Sequence, residues 1–226
     1  MLLHIPNVLS RNDLQAVHTI LEKANFVDGK LSAGMAAKRV KNNQEVSRDD
    51  GQILQQLNNI VMGKLTRHPI YQFGALPLRV ATPFYARYGK GMTYGDHVDD
   101  PVMGPGPGQQ YRSDVSMTVF LNNPEDYDGG ELVIRTDFGD RKVKLPAGDV
   151  VMYPSSSIHH VAEVTRGERV VAVTWLQSMV REPQRRELLY ELSLAREKML
   201  KAAPEASETK QVDRSYVNLV RMWSEL

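Results

Sequence analysis

Apolar positions along the chain follow two rhythms, and the change of rhythm divides it. Leu14, Val17, Ile20, Leu21 and Ala24 recur at helical spacing behind Ser10-Arg-Asn-Asp13, which has the form of a capping box. Ile53, Leu54, Leu57, Ile60 and Val61 repeat that spacing and predict a second helix over 49–65. Between them, Lys38-Arg-Val-Lys-Asn-Asn43 is polar and without clear period. From about Leu78 the apolar runs shorten and turn residues punctuate them, predicting strands over 78–88, 116–121, 131–135, 142–145, 149–153, 159–164 and 169–176. The intervening turns are rich in Gly and Asp, as in Asp128-Gly-Gly130 and Phe138-Gly-Asp140. Gly104-Pro-Gly-Pro-Gly108 can hold neither strand nor helix and reads as a mobile loop.

After Val180 the helical rhythm returns. Pro183 suits a first helical turn, and Leu188, Leu192, Ala195 and Met199 form a stripe ending near Ala203-Pro204. A last helix is predicted over 212–226. There is no internal repeat. The expected fold class is α+β, with a mainly β core of the jelly-roll kind. The expected division is a helical region over 1–77 packed on the core, the jelly roll over 78–178, and a helical tail over 179–226. The tail's stripe could cover its own core or join two copies as a homodimer.

Composition narrows the function. The 226 residues carry a formal net charge of +1, with no bulk field directed at nucleic acid or an anionic membrane. No basic stripe is interleaved with aromatics, which also argues against nucleic acid. There is no cysteine, which removes disulfides, thiolate metal sites and cysteine nucleophiles. The first residues lack the basic and apolar regions of a signal peptide, and no run approaches the roughly 20 apolar residues of a membrane span. A soluble cytoplasmic protein is expected.

The chemistry concentrates in the β core. His97 lies among Asp96, Asp99 and Asp100, and a lone His-x-Asp pair is a weak signal. In extended chain, positions two apart face the same way, so His97 and Asp99 converge while Asp96 and Asp100 point elsewhere. Ser157-Ile-His-His-Val161 offers a third ligand, and of His159 and His160 at most one faces inward. Either alone is more simply a surface or core histidine. Ten residues after His159, Arg169 starts a strand whose Val171, Val173 and Trp175 share its face. A guanidinium buried with them is costly without an anion, which a dicarboxylate cosubstrate would supply. Two imidazoles and one carboxylate leave three positions open on a metal, the facial triad of non-haem Fe(II) oxygenases. Zinc would fit the same ligands, but hydrolytic zinc sites usually keep one open position and have no evident use for the arginine.

Four pieces occur in order: Tyr88-x-x-Gly91-x-x-Tyr94-x-x-His97-x-Asp99, Asp128-Gly-Gly-Glu-Leu132, Gly148-Asp-Val-Val-Met-Tyr-Pro154 and His159-x-Val161-x-x-Val164-x-x-Gly167-x-Arg169. Together they resemble the Fe(II)/2-oxoglutarate-dependent dioxygenases of the prolyl/lysyl hydroxylase branch. Val-Lys-Asn-Asn43, the run from Trp175 to Arg181 and the helical tail are similar to the bacterial PKHD-type hydroxylases associated with iron uptake.

The resemblance implies a double-stranded β-helix with His97, Asp99 and His159 holding Fe(II) at the catalytic centre. It implies that 2-oxoglutarate chelates the iron and that Arg169 pairs with its distal carboxylate. Tyr88 or Tyr94 would hydrogen-bond the cosubstrate, although tyrosines near a barrel mouth more often simply pack. O2 would be the second cosubstrate and L-ascorbate the reductant. The product side would be succinate, CO2 and a hydroxylated small molecule or peptide of unknown identity. The family often places another polar residue at the distal carboxylate, and Phe120, in the strand where it is expected, cannot serve. The competing readings are a zinc or manganese cupin-like hydrolase and a non-catalytic metal or 2-oxoglutarate sensor.

Overall fold

The computed structural model describes residues 1–226. Strand β1 (Leu3–Ile5) leads into α1 (Arg11–Leu21). Ser10 Oγ accepts from the Asp13 amide at 3.2 Å, and the Asp13 carboxylate accepts from the Ser10 amide at 2.9 Å, closing the expected capping box. Three short strands follow, β2 (Phe26–Asp28), β3 (Lys41–Asn42) and β4 (Gln44–Val46). Then come α2 (Gly51–Leu65) and α3 (Pro69–Ala75).

The β core runs through β5 (Pro77–Val80), β6 (Phe84–Tyr88), β7 (Thr93–His97), β8 (Val102–Met103), β9 (Tyr111–Arg112) and β10 (Val115–Phe120). It continues as β11 (Tyr127–Gly129), β12 (Leu132–Thr136), β13 (Gly139–Val143), β14 (Val150–Pro154), β15 (His159–Val161), β16 (Val164–Gly167) and β17 (Arg169–Ser178). Helices α4 (Pro183–Ala202) and α5 (Ser207–Trp223) end the chain. No helix is long and apolar enough to cross a membrane.

The larger sheet has the order β1-β14-β10-β17-β6-β4-β2, with β5 also paired to β17. The smaller has the order β13-β12-β15-β7-β3, and β11-β16 and β8-β9 form two-stranded ribbons. Side-chain alternation divides the packing into two layers. Val115, Met117 and Val119 of β10 point one way, with Val150 and Met152 of β14 and Ala172 and Leu176 of β17. They meet Val17, Leu21, Leu57, Val61 and Leu65 of α1 and α2. The opposite face carries Ala86, Tyr88, Phe120, Val151, Tyr153 and Val171, packed against Leu132, Ile134 and Val161 of the smaller sheet. All six residues of β10 are buried because helices cover one side and the second sheet covers the other.

The structure refines several sequence expectations. The strand expected over 78–88 is two strands, with Pro83 in the break, where a missing amide cannot continue a ladder. The strand expected over 159–164 divides because the chain leaves the smaller sheet after Val161 and joins the β11 ribbon at Val164. The final helix begins at Ser207 rather than near 212. Residues 1–77 contribute four strands as well as helices. Those strands have two or three residues each, too few for a period-2 pattern, and their pairing to core strands makes them regular. Gly104–Gly108 connects β8 to β9, and Gly104 and Pro105 stand at the edge of the cavity described next.

Candidate active site

A cavity of about 600 Å³ opens between the two sheets. His97 ends β7 and His159 begins β15, and the antiparallel register sets them directly opposite. Their ring centroids are 4.2 Å apart. The register shifts between His159 and Val161, a bulge that re-aims side chains at this point. Asp99 follows two residues beyond His97, and His159 Nε2 lies 3.8 Å from Asp99 Oδ2. One ligand atom from each of His97, Asp99 and His159 falls within 4.8 Å of the others.

Backbone contacts set the tautomers. His97 Nδ1 is 2.8 Å from the Gly95 carbonyl, and His159 Nδ1 is 3.0 Å from the Ser157 carbonyl. A carbonyl only accepts, so each Nδ1 carries the proton and each Nε2 keeps its lone pair. Burial, reinforced by the neighbouring His159, pushes His97 down to about 4, so its imidazole is neutral at physiological pH. Two imidazoles presenting Nε2 and one aspartate side chain form a donor set that fits a divalent metal. Tyr94 stacks on His97 with centroids 3.7 Å apart and planes 13° from parallel.

The neighbouring acids and histidine take other roles. Asp96 is exposed and binds His160 Nδ1 at 2.8 Å and Arg135 at 3.1 Å. His160 thus faces outward, opposite to His159. Asp100 sits at the cavity rim, its carboxylate against Gly34 and its backbone carbonyl accepting from Ser113.

Two serines that drew no attention in the sequence stand behind Asp99. Ser116 Oγ lies 2.5 Å from Asp99 Oδ2 and 2.8 Å from Ser155 Oγ. A carboxylate only accepts, so Ser116 gives its single proton to Asp99 and Ser155 gives its own to Ser116. The legible signal is the alternation Val115-Ser116-Met117-Thr118-Val119, which puts hydroxyls on the interior face of an otherwise apolar strand.

Arg169 begins β17, lines the same cavity and is 1% exposed. Its guanidinium lies 5.0 Å from the Tyr88 ring and 5.8 Å from the Phe120 ring. Arg169 Nε and Nη1 have no hydrogen-bond partner. Ring faces stabilise the cation but leave these in-plane N–H groups unsatisfied, and a buried charge in that condition is costly. A carboxylate entering from the cavity would satisfy them as a fork. Burial, opposed by Arg169, pushes the Tyr88 phenol up to about 12, which keeps it a donor. Burial also raises Tyr94. Lys41 and Asn43, from the segment that showed no period in the sequence, line the same cavity with Glu45 two residues further on.

Three convergent donor side chains and a buried arginine without a partner share one cavity between the jelly-roll sheets, an arrangement that suits an oxygenase, and the comparisons agree on the class. Residues 83–177 match the family model of the 2OG-Fe(II) oxygenase superfamily. The chain is 50% identical over 226 residues to a PKHD-type hydroxylase of Thioalkalivibrio sulfidiphilus, covering all of both chains. It is 42% identical, again over the whole of both chains, to the PKHD-type hydroxylase YbiX of Escherichia coli. The chain therefore belongs to the 2OG-Fe(II) oxygenases, within the PKHD-type hydroxylase group, as a 2-oxoglutarate-dependent dioxygenase. The family implies Fe(II), 2-oxoglutarate and O2. Among solved structures, a prolyl hydroxylase of Trichoplax adhaerens matches with a TM-score of 0.57, at 17% identity, over 78% of this chain and 83% of that one. A Pseudomonas putida prolyl-4-hydroxylase matches with a TM-score of 0.51, at 17% identity, over 78% of this chain and 92% of that one. At such identity these two speak for the fold alone.

Proposed function

We propose that His97, Asp99 and His159 hold Fe(II) as the catalytic centre and that Arg169 binds the distal carboxylate of 2-oxoglutarate. The observation that carries this reading is the pairing of two features in one cavity. Three convergent donors lie in one part of it, and a buried guanidinium with two unpartnered N–H groups lies in another. The hydrolase reading explains the donors and leaves Arg169 without a purpose.

Bound there, iron(II) and 2-oxoglutarate supply the O2-dependent chemistry that hydroxylates a C–H bond and yields succinate and CO2. The chain's own residues position and exclude. The Gly95 and Ser157 carbonyls hold both imidazoles with Nε2 available. Arg169 fixes one end of the cosubstrate, and Tyr88, on the adjacent strand position, offers a phenol donor beside it. Tyr94 serves mainly by stacking on His97. The apolar layer of Val151, Val161 and Val171 keeps water from the far side of the site.

Ascorbate is the reductant for centres left oxidised, and residues 78–178 carry the catalysis, with 1–77 packed on the core and lining part of the cavity and 179–226 as cover. The substrate is a small molecule or peptide in the cytoplasm, within iron uptake, and the tail helices are the face for a homodimer. The test is succinate formation by the iron-loaded protein under air, with Asp99→Ala beside wild type. Turnover of 2-oxoglutarate by Asp99→Ala at the wild-type rate would falsify the metal assignment.

A further inference from the structure

Asn43 is 3% exposed and lines the cavity, yet neither its Oδ1 nor its Nδ2 has a hydrogen-bond partner. Both flanking residues on its face are already committed. Lys41 Nζ binds Glu45 Oε1 at 2.5 Å and Ser32 Oγ at 2.9 Å, so the two charges neutralise each other. Asn43 makes no bond within that polar strip, and the Tyr88 phenol stands within weak hydrogen-bonding reach of its carboxamide. A buried carboxamide without well-formed hydrogen bonds is costly, which argues for a ligand that completes it.

The carboxamide is held in a defined orientation. A Cβ on Gly29 would fall 1.9 Å from Asn43 Oδ1, so the oxygen rests on the bare Cα of a glycine and the amide nitrogen lies on the other side. The Gly29 amide donates to the Asn43 backbone carbonyl at 3.0 Å and ties the two together. Register then gives the address. β4 pairs with β6 as Gln44 to Arg87 and Glu45 to Ala86, which sets Asn43 next to Tyr88. Tyr88 pairs directly with Arg169 across β6 and β17. Asn43, Tyr88 and Arg169 therefore form one row across three strands at one end of the cavity.

We propose that Asn43 is a recognition residue for the cosubstrate, its Nδ2 donating to the same carboxylate that Arg169 pairs with. It supplies from β3–β4 the polar contact that Phe120 cannot supply from β10. The proposal rests on the Arg169 assignment made above. It makes the row selective for a short 2-oxo dicarboxylic acid, because a cation and an amide donor together need a carboxylate at that depth.

The experiment measures 2-oxoglutarate binding to the manganese(II)-substituted protein by calorimetry, with manganese affinity measured separately. Asn43→Ala is expected to weaken 2-oxoglutarate binding roughly tenfold or more, the loss typical of a hydrogen bond to a charged group, with manganese affinity unchanged. Asn43→Asp is expected to weaken it further, because a second carboxylate faces the ligand's own. Asn43→Ser keeps a small polar group and serves where Ala destabilises the fold. Arg169→Ala is the control that separates the two claims. If Arg169→Ala binds 2-oxoglutarate as wild type does, the Arg169 assignment fails and this proposal with it. If Arg169→Ala loses binding while all three Asn43 variants keep wild-type affinity, only the Asn43 proposal is overturned. Loss of manganese affinity in the Asn43 variants would also overturn it, since Asn43 would then act through the fold.

Discussion

Ser116 Oγ stands 2.5 Å from Asp99 Oδ2, and the Ser155 hydroxyl stands 2.8 Å behind it. The pair of hydroxyls holds the same carboxylate oxygen that lies 3.8 Å from His159 Nε2, and so fixes how Asp99 is presented to the histidines. Partners of a metal ligand usually matter by about 10–100-fold in metal affinity. Ser116→Ala is therefore expected to weaken manganese or iron binding by about that range, measured by anaerobic titration. The metal-loaded fraction should bind 2-oxoglutarate normally. Wild-type metal affinity in Ser116→Ala would reduce the serine to a packing role.

The two adjacent histidines should separate cleanly. His159 faces the cavity, while His160 binds Asp96 on the outer surface. His159→Gln should abolish succinate formation and His160→Gln should leave it at the wild-type rate. Equal losses in both would mean that the strand, rather than a ligand, had been disturbed.

Arg169 is a charge the empty fold must carry without an anion. Arg169→Met should melt at or above the wild-type temperature when no cosubstrate is present, because an unsatisfied buried cation is replaced by an apolar side chain. 2-Oxoglutarate at about 100 times its Kd should stabilise the metal-loaded wild type by about 2.7 kcal/mol and leave Arg169→Met where it was. Scanning fluorimetry with and without 2-oxoglutarate checks both halves.

Tyr94 distinguishes packing from hydrogen bonding. Its ring stacks on His97 at 3.7 Å. Tyr94→Phe keeps the stack and is expected to leave the KM for 2-oxoglutarate within about twofold, whereas Tyr94→Ala should loosen His97 and weaken metal binding. A large rise in KM for Tyr94→Phe would transfer the cosubstrate contact to its hydroxyl.

The helix-covered layer should be separable from the chemistry. Leu57 is fully buried against the larger sheet, away from the cavity. Leu57→Ala is expected to lower the unfolding free energy by about 2–5 kcal/mol in urea titrations. The metal affinity of the folded protein should not change.

Helices α1 and α4 were legible because a capping box and an N-terminal proline act within a few residues. His97, Asp99, His159 and Arg169 were named because spacing in extended chain limits which side chains can share a face, and the choice of His159 over His160 came with the family resemblance. Asn43, Ser116 and Ser155 were not legible. Their roles depend on what lies opposite, and nothing local reveals it. Asn43 sat in a stretch that seemed aperiodic because a two-residue strand cannot display its period.

The chain's own order of residues determined the strand alternation, the turns and which side chains could share a face. Tertiary structure decided which strands became neighbours, and so set His97 opposite His159 and Asn43 in the row with Tyr88 and Arg169. The physical reason is range. Alternation and capping are settled by bonds a few residues long, while the partner of a buried polar group comes from whichever distant strand long-range packing brings beside it.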